Sequence, residues 1–368
     1  MLLKFAVTNY RGFAHTIEWD LTKHANYDFN TAAISEDGIV KKGIIYGTNG
    51  SGKSNFSLAI FDVVTLLSPQ VRKPNYHKNF IYAGGKDKLV DFEYTFRFAD
   101  SIINYQYSKD ENEILHKECL KVNDAMIFEK NYADLFIDRA KFPISDAAIN
   151  DLKVADNNVS IANYILATLP LAENHYLLKL QRFVNSMLWF RSVLEGNDYI
   201  GFENTPTNIE EFIIKNDLLD DFKRFLHDIS GQDFTFAQPK IDDKVIYCVY
   251  NNNLVLFDSI ISTGTKALRL LYYWLRKINR ASFVIIDEFD AFYHYQLSFN
   301  ICKELFRLPC QLFLTSHNTR LMNNDLLRPD CNFILQSNEI KSVEQLTQKE
   351  LRFAHNIENL YRGKAFGV

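Results

Sequence analysis

The chain has 368 residues with a formal net charge of −4, and 47% of its residues are hydrophobic, including 30 Phe and 19 Tyr. So many aromatic residues exclude a disordered chain, and the length allows two compact lobes or one domain with a large insertion. The slightly negative charge gives no overall attraction to nucleic acid or to an anionic membrane, although a local basic face remains compatible with it.

Cysteine usage and the N-terminal sequence indicate a cytoplasmic protein. The cysteines are scattered, without the CxxC pair of a zinc or dithiol site, which predicts reduced thiols with a structural role. The N-terminal residues alternate like a strand and lack the apolar core and cleavage site of a signal peptide. No apolar run approaches the roughly 18 residues of a membrane span, so we expect no membrane partner.

The first 70 residues have the strand, loop and helix order of a phosphate-binding loop. Residues 2–20 alternate in two short stretches joined by a turn, and residues 43–46 predict a third strand that runs into a glycine-rich loop. The apolar residues after Ser54 are dense enough for a buried helix that ends near Pro69.

The rest of the chain alternates between strand-like and helical patterns. Residues 88–130 predict antiparallel strands, and the pattern from about 145 to 230 is helical without the sustained heptads of a long coiled coil. Strands are predicted again at 244–257, followed by a helix over about 265–278.

Residues 47–54 fit the pattern G-x-x-x-x-G-K-[ST] of a P-loop. Glycines let the backbone wrap so that successive N–H groups point at phosphate oxygens. Lys53 is then predicted to hold the β- and γ-phosphates, and Ser54 to ligate Mg²⁺. An ordinary glycine-rich turn is the alternative, but the preceding strand and the following helix disfavour it. The predicted phosphate cradle consists of Gly47, Thr48, Asn49, Gly50, Ser51, Gly52, Lys53 and Ser54.

A carboxylate pair follows the apolar run 283–286, which is typical of a buried strand. Asp287 is predicted to hold Mg²⁺ through water, and Glu288 is predicted to polarise the water that attacks the γ-phosphate. By itself the pair is equally compatible with a capped helix start or a solvated turn, because Asp and Glu favour helix N-termini. The presence of Lys53 upstream favours the catalytic interpretation.

Two further segments are candidates for contacts with a nucleotide. Ser262 and Gly264 lie at the start of a predicted helix, where a hydroxyl and backbone N–H groups can bind an anion; a plain Ser/Thr N-cap is the alternative. His317 follows the apolar run 311–315, at the edge where open α/β sheets bind ligands. It is a candidate γ-phosphate sensor, with a structural histidine as the alternative.

Taken together, the segments GTNGSGKS, STGTK, IIDEFDA and LTSHN resemble the nucleotide-binding heads of ABC-type ATPases. In that superfamily they correspond to the Walker A loop, the signature loop, Walker B with the catalytic Glu and the D-loop, and the His switch. The N-terminal LKFAVTNYRGF and the C-terminal NLYRGKAFG resemble the ends of bacterial AAA-type ATP-binding proteins of abortive-infection and overcoming-lysogenization-defect (OLD) systems, relatives of the RecF and SMC heads. The resemblance covers roughly residues 1–67 and 255–368.

The resemblance implies an α/β fold: an ABC-type ATPase head with a P-loop core sheet, an antiparallel β subdomain and a helical lobe, without a long coiled coil. The implied ranges are 1–130 for the N-terminal part of the ATPase core, 131–240 for the helical lobe and 241–368 for the C-terminal part of the core. ATP and Mg²⁺ are the implied cofactors, with Asn55 and Asp290 as further nucleotide-binding residues.

The resemblance also implies a homo-oligomer in which two heads meet face to face. Ser262, Gly264 and Thr265 of one subunit would close on the γ-phosphate held by Lys53 of the other, so a monomer would be inactive.

Two features depart from the pattern of these relatives, and the role of a third residue is not fixed by that pattern. The signature is short and lacks the second Gly of transporter-type versions. No Gln stands out as the metal-sensing residue, and Gln70 and Gln106 are weak candidates. Arg11 is a candidate for reaching the nucleotide, with an exposed strand-end Arg as the alternative.

The leading hypothesis is an ATPase that dimerises on ATP and senses a trigger or controls a separate effector protein in bacterial anti-phage defence. The main rival is a RecF-like clamp in DNA repair, in which the helical lobe grips DNA. A third interpretation places a nuclease site within 130–250, but His116, His175 and His227 are too dispersed to support it. The segment after His317 is too short for the TOPRIM nuclease domain of OLD-type proteins.

Overall fold

The computed structural model describes residues 1–68, 79–154, 159–191, 199–201, 208–237 and 244–367. The strands are β1 (Leu2–Thr8), β2 (Ile17–Asp20), β3 (Lys42–Tyr46), β4 (Val90–Phe98), β5 (Ser101–Lys109), β6 (Leu115–Val122), β7 (Ala125–Asn131), β8 (Asp134–Ile137), β9 (Met187–Arg191), β10 (Tyr199–Gly201), β11 (Tyr247–Tyr250), β12 (Asn253–Leu256), β13 (Phe283–Asp287), β14 (Gln311–Ser316), β15 (Asn332–Gln336) and β16 (Glu339–Ser342). The α-helices are α1 (Lys53–Ile60), α2 (Asp62–Leu67), α3 (Asp146–Val154), α4 (Ile161–Thr168), α5 (Tyr176–Asn185), α6 (Ile209–Lys215), α7 (Leu219–Ser230), α8 (Phe257–Ile260), α9 (Thr263–Lys277), α10 (Tyr295–Phe306) and α11 (Ile357–Arg362).

The core sheet has the strand order β10-β9-β13-β14-β3-β15-β16. Strands β9, β13, β14, β3 and β15 run parallel to one another, and the edge strands β10 and β16 pair antiparallel. Every residue of β13, β14 and β3 is buried, as expected for strands covered on both faces. Because these strands are parallel, their carboxyl ends lie together at one edge of the sheet.

The second sheet is antiparallel throughout, with the order β2-β1-β4-β5-β6-β7-β8. The first half of β4 alternates strictly between buried and exposed residues, which is the pattern of a strand with one covered face. The sheet confirms both the antiparallel strands predicted for 88–130 and the paired strands predicted for 2–20.

Helix α1 is held between the two sheets by aromatic contacts. The Phe56 ring packs against Phe5 and Trp19, with 5.7 Å between ring centroids in both pairs. Trp19 of the antiparallel sheet also contacts Phe313 of β14, at 4.6 Å between centroids. These edge-to-face contacts fix the helix that follows the glycine-rich loop against both sheets.

The predicted fold class is confirmed, because a parallel core sheet carrying the P-loop is combined with an antiparallel sheet. Two predicted ranges are wrong in detail. Strand β8 extends the antiparallel sheet beyond residue 130, and β9 and β10, inside the range 131–240 predicted as a helical lobe, belong to the core sheet. Strand β9 follows α5 almost directly, and so short an apolar run has no periodicity that distinguishes a buried strand from a helix.

The helices of the described ranges are short. The longest, α9, has 15 residues, so this part of the chain contains no long coiled coil, as predicted. Within the same ranges, no helix combines the length and the apolar composition that crossing a membrane requires.

Candidate active site

Four parallel strands of the core sheet end beside one another at the same edge. The glycine-rich loop follows β3, Asp287 ends β13, His317 follows β14, and Arg191 ends β9. Ligands of open α/β sheets bind at this edge. The topology therefore brings together three segments that the sequence predicted for the site, and it adds a fourth.

The backbone of the glycine-rich loop requires glycine at defined positions. A Cβ on Gly47 would lie 2.8 Å from the carbonyl oxygen of Leu335, and a Cβ on Gly52 would lie 2.8 Å from the Phe13 ring. Gly50 and Gly52 also have positive φ angles of 81° and 98°, which side chains disfavour. The segment predicted as a phosphate cradle is thus a tight loop with two left-handed glycines, and it leads directly into helix α1.

Lys53 is the first residue of α1, and its side chain turns back over the loop. Its ammonium donates to the carbonyl oxygens of Gly47 (2.8 Å) and Thr48 (3.2 Å) and lies 3.3 Å from Nδ1 of His317. Burial lowers the pKa of Lys53, and the charges of Asp287, Glu288 and Asp290 oppose this effect. A cation therefore sits at the loop with carboxylates nearby to keep it protonated.

Asp287 is fully buried at the end of β13. Its Oδ1 accepts a hydrogen bond of 2.7 Å from the Thr315 hydroxyl, and its buried Oδ2 accepts no hydrogen bond from the described residues. Burial raises the pKa of Asp287, while the neighbouring hydroxyls of Thr315 and Ser54 and the charge of Arg191 lower it. Ser54 and Asp287, the two predicted Mg²⁺ ligands, therefore lie near each other, with one buried Asp287 oxygen not engaged in a hydrogen bond.

Glu288 follows in a left-handed backbone conformation, with φ at 49°. Its backbone N–H donates to the Thr315 hydroxyl (2.7 Å), and its Oε1 lies 3.0 Å from Nη2 of Arg191. A positive φ is rare outside glycine and is kept only where the surroundings enforce it. Here Thr315 binds the backbone of Glu288 and Arg191 binds its carboxylate. About a third of the side chain remains exposed to solvent.

His317 is exposed at the end of β14, and its ring faces Lys53. The part of the ring that is shielded from solvent, together with the positive charge of Lys53, lowers the pKa of His317. The imidazole is therefore neutral at pH 7 and presents a lone pair toward the lysine. A neutral imidazole at this position lies beside the place where the sequence predicts the γ-phosphate.

Asp290, predicted from the resemblance to contact the nucleotide, connects the Walker B and His317 segments. Its Oδ2 accepts a hydrogen bond of 2.7 Å from the Ser316 hydroxyl. Burial raises the pKa of Asp290, and the neighbouring side chains of Ser316 and Asn318 oppose the shift. Within this chain the side chain acts as a tether between two loops of the site.

The segment 262–265 has the geometry of the N-cap that was the alternative interpretation. Ser262 Oγ accepts from the backbone N–H of Thr265 (3.2 Å) and lies 3.0 Å from the Thr265 hydroxyl. That hydroxyl also donates to Gln232 (3.0 Å), and Thr265 is 2% exposed. Thr265 therefore faces inward and anchors the start of α9 in this chain, and its contact with the γ-phosphate of a second subunit stays a prediction. Ser262 is exposed and Gly264 partly so.

Arg11 lies against the first turn of α1, where its Nη1 donates to Asn55 Oδ1 at 3.0 Å. The side-chain oxygen of Asn55, a predicted nucleotide contact, is thus engaged by the N-terminal turn. Of the two candidates for the metal-sensing residue, Gln70 lies outside the described residues. Gln106 lies within the antiparallel sheet, opposite Glu93 and Cys119.

The three histidines of the nuclease interpretation have separate local partners. His116 Nε2 lies 3.0 Å from Asp110, and His227 Nδ1 lies 2.9 Å from Asp233. His175 caps α5 by accepting the N–H of Leu177. Each ring therefore has a local structural role.

Sequence reasoning missed two residues that hold the carboxylate pair, Thr315 and Arg191. Thr315 lies inside the segment LTSHN, but a threonine in a buried strand carries no signal of its own. Arg191 lies in a stretch predicted as helical, so its position at the site edge was not visible before the sheet was known.

Residues 44–323 match the family model described as "AAA domain, putative AbiEii toxin, Type IV TA system", and the chain belongs to this family. No curated protein matches the chain. Among solved structures, the SMC head domain from Thermotoga maritima is 16% identical, with 94% of this chain and 99% of that chain covered and a TM-score of 0.45. The Smc head domain with a coiled coil and joint from Pyrococcus yayanosii is 11% identical, with 99% of each chain covered and a TM-score of 0.48.

Proposed function

We propose that this AAA-domain protein binds Mg²⁺·ATP and hydrolyses it at the carboxyl edge of the core sheet. The observation that carries the proposal is the meeting of the P-loop and Walker B residues. The Ser54 hydroxyl lies close enough to Asp287 to lower the pKa of its carboxyl, the buried Asp287 Oδ2 accepts no hydrogen bond from the described residues, and Lys53 Nζ lies 3.3 Å from His317 Nδ1. A phosphate cradle, a pair of oxygen donors suited to Mg²⁺, a carboxylate and a neutral imidazole are thereby assembled at one place.

Each residue has a distinct role in the proposed reaction. Lys53 and the loop N–H groups bind the β- and γ-phosphates; Ser54 and Asp287 would hold Mg²⁺, which would supply positive charge beside the phosphate oxygens. Glu288 accepts a proton from the attacking water. His317, neutral at pH 7, orients the water or the γ-phosphate through its ring nitrogen.

Steady-state ATPase assays of two variants test this proposal. Glu288→Gln keeps the shape of the side chain but removes the base, so we expect turnover to fall by about 10²-fold or more while ATP binding is retained. Lys53→Ala is expected to abolish both binding and turnover. Unchanged turnover in Glu288→Gln would refute the assignment of Glu288.

We further propose that two heads close around ATP in a homodimer, with Ser262 and Gly264 of one subunit meeting the nucleotide of the other. The exposure of Ser262 supports this, because its hydroxyl lies at the start of α9, where backbone N–H groups attract anions. Sedimentation of Glu288→Gln with Mg²⁺·ATP tests it. Adding Gly264→Glu should keep that variant monomeric without weakening its ATP binding, whereas an unchanged dimer would contradict the proposal.

In the cell, we propose that ATP-driven closure senses a trigger or controls a separate effector in anti-phage defence. The family description, which refers to an AbiEii toxin and a type IV toxin–antitoxin system, supports this role. Plating phage on cells that express the protein with its native gene neighbours tests it. Protection should be lost with Glu288→Gln, and protection equal to that of the wild type would contradict an ATPase-dependent role.

A further inference from the structure

Arg191 contacts both carboxylates of the Walker B pair. Its Nη2 lies 3.0 Å from Glu288 Oε1, and its Nε lies 3.5 Å from Asp287 Oδ2. The residue ends β9, where it is paired directly with Asp287 in the parallel register. Neither the P-loop nor the signature segment contributes this side chain. The core sheet therefore supplies a cation to the carboxylates from a strand outside the recognised motifs.

The position of Arg191 is fixed relative to both halves of the site. Strand β9 pairs with β13 along its whole length, from Met187 to Arg191. Two residues before Arg191, the Trp189 indole donates to the Ser57 hydroxyl of α1 at 3.2 Å. The strand that presents the guanidinium is thus attached both to the Walker B strand and to the helix that begins with Lys53.

The chemistry of the contact favours orientation of Glu288 over simple charge compensation. A guanidinium has several donors in a rigid plane, so it can keep one carboxylate in place while releasing another. The shorter contact is with Glu288, the proposed base, and the longer one is with Asp287, the proposed Mg²⁺ ligand. When a divalent cation binds Asp287, the contact between Arg191 and Glu288 can persist.

We propose that Arg191 is a positioning residue for hydrolysis, which holds the Glu288 carboxylate in the orientation that accepts a proton from the attacking water. This inference rests on the proposed ATPase function. The ion pair is about one third exposed at both ends, so its contribution to folding is small, and its main effect is on the geometry of Glu288. A misplaced base slows the chemical step without weakening binding of the phosphates.

Kinetic measurements on Arg191→Met, Arg191→Lys and Glu288→Gln test the proposal. Arg191→Met is expected to lower kcat by about 10- to 100-fold, while the Kd for a fluorescent ATP analogue with Mg²⁺ changes by less than about threefold. Arg191→Lys should recover part of kcat, because it keeps the charge but not the planar fork. Arg276→Met serves as the control, since Arg276 is a surface arginine paired with Asp221 and its loss should leave kcat unchanged.

The double variant Arg191→Met/Glu288→Gln separates positioning from an independent role. If Arg191 acts through Glu288, its loss has no further effect on the residual single-turnover rate of Glu288→Gln. If the two losses multiply, or if Arg191→Met turns over like the wild type, the inference is overturned. The proposed function fails separately, and the inference with it, if the wild type does not hydrolyse Mg²⁺·ATP or if Glu288→Gln turns over normally.

Discussion

Thr315 connects the two Walker B carboxylate residues through a single hydroxyl. Its Oγ1 donates to Asp287 Oδ1 and accepts the N–H of Glu288, both at 2.7 Å, and the side chain is fully buried. Replacing Thr315 with Val keeps the shape of the side chain but removes both hydrogen bonds. We expect this change to lower both the stability of the protein and the rate of hydrolysis.

The size of both effects follows from the two hydrogen bonds that Thr315→Val removes. A hydrogen bond to a charged group contributes about 1.5–3 kcal/mol and a neutral one about 0.5–1.5 kcal/mol, so Thr315→Val should cost roughly 2–4 kcal/mol of unfolding free energy. Asp287 and Glu288 also lose their common anchor. If about half of that free energy is lost from the transition state for hydrolysis, kcat falls by roughly 5- to 30-fold, since 1.4 kcal/mol is about tenfold.

Urea unfolding and steady-state ATPase assays measure these two effects, with Thr315→Ser as the matched control. Serine keeps the hydroxyl and loses only a methyl group, which costs about 1 kcal/mol in a well-packed site. Thr315→Ser should therefore retain most of kcat. If the valine and serine variants have equal stability and equal kcat, the hydroxyl does not organise the carboxylate pair and the reasoning fails.

Three further predictions concern the loop and the core. Gly52→Ala should weaken ATP binding by roughly tenfold in titrations, because the positive φ costs about 1–2 kcal/mol and the new methyl meets the Phe13 ring; Gly12→Ala, with open space around its Cβ, should bind normally. Asp62→Asn should lower the unfolding free energy in urea by about 3–5 kcal/mol, because it leaves the buried Lys109 ammonium, now 2.7 Å from Asp62, without its counter-charge. A smaller loss in Asp62→Leu/Lys109→Met would support this cause, and an equal loss would contradict it. Burial lowers the pKa of Lys42 from 10.5 to about 8. Between these pH values the lysine is therefore protonated in the unfolded chain and neutral in the folded protein. The unfolding free energy of the wild type should therefore rise relative to Lys42→Met by about 3 kcal/mol from pH 8 to 10.5, whereas parallel pH profiles would refute the assignment.

The sequence predicted the parts of the site that depend on local chain geometry. The pattern around Lys53 requires glycines at particular positions, and the structure shows the positive φ angles and close approaches that make them necessary. Asp287 and His317 were found because each follows an apolar run long enough to be a buried strand. Parallel strands then place the residues after them at one edge, so their proximity to Lys53 was predictable before the order of the strands was known.

The sequence alone could not show which other side chains reach these residues. Arg191 and Thr315 lie in segments without a motif, and their importance comes only from the neighbours that sheet pairing gives them. Thr265 is a residue that the sequence did single out, because it lies at a predicted helix N-terminus. The sequence could not show that its hydroxyl is buried against Gln232. Local patterns thus determined the nucleotide loop and the carboxylate pair, since backbone conformation and strand burial follow from nearby residues. Only the tertiary structure decided how Glu288 is held, because its contacts come from strands far apart in sequence.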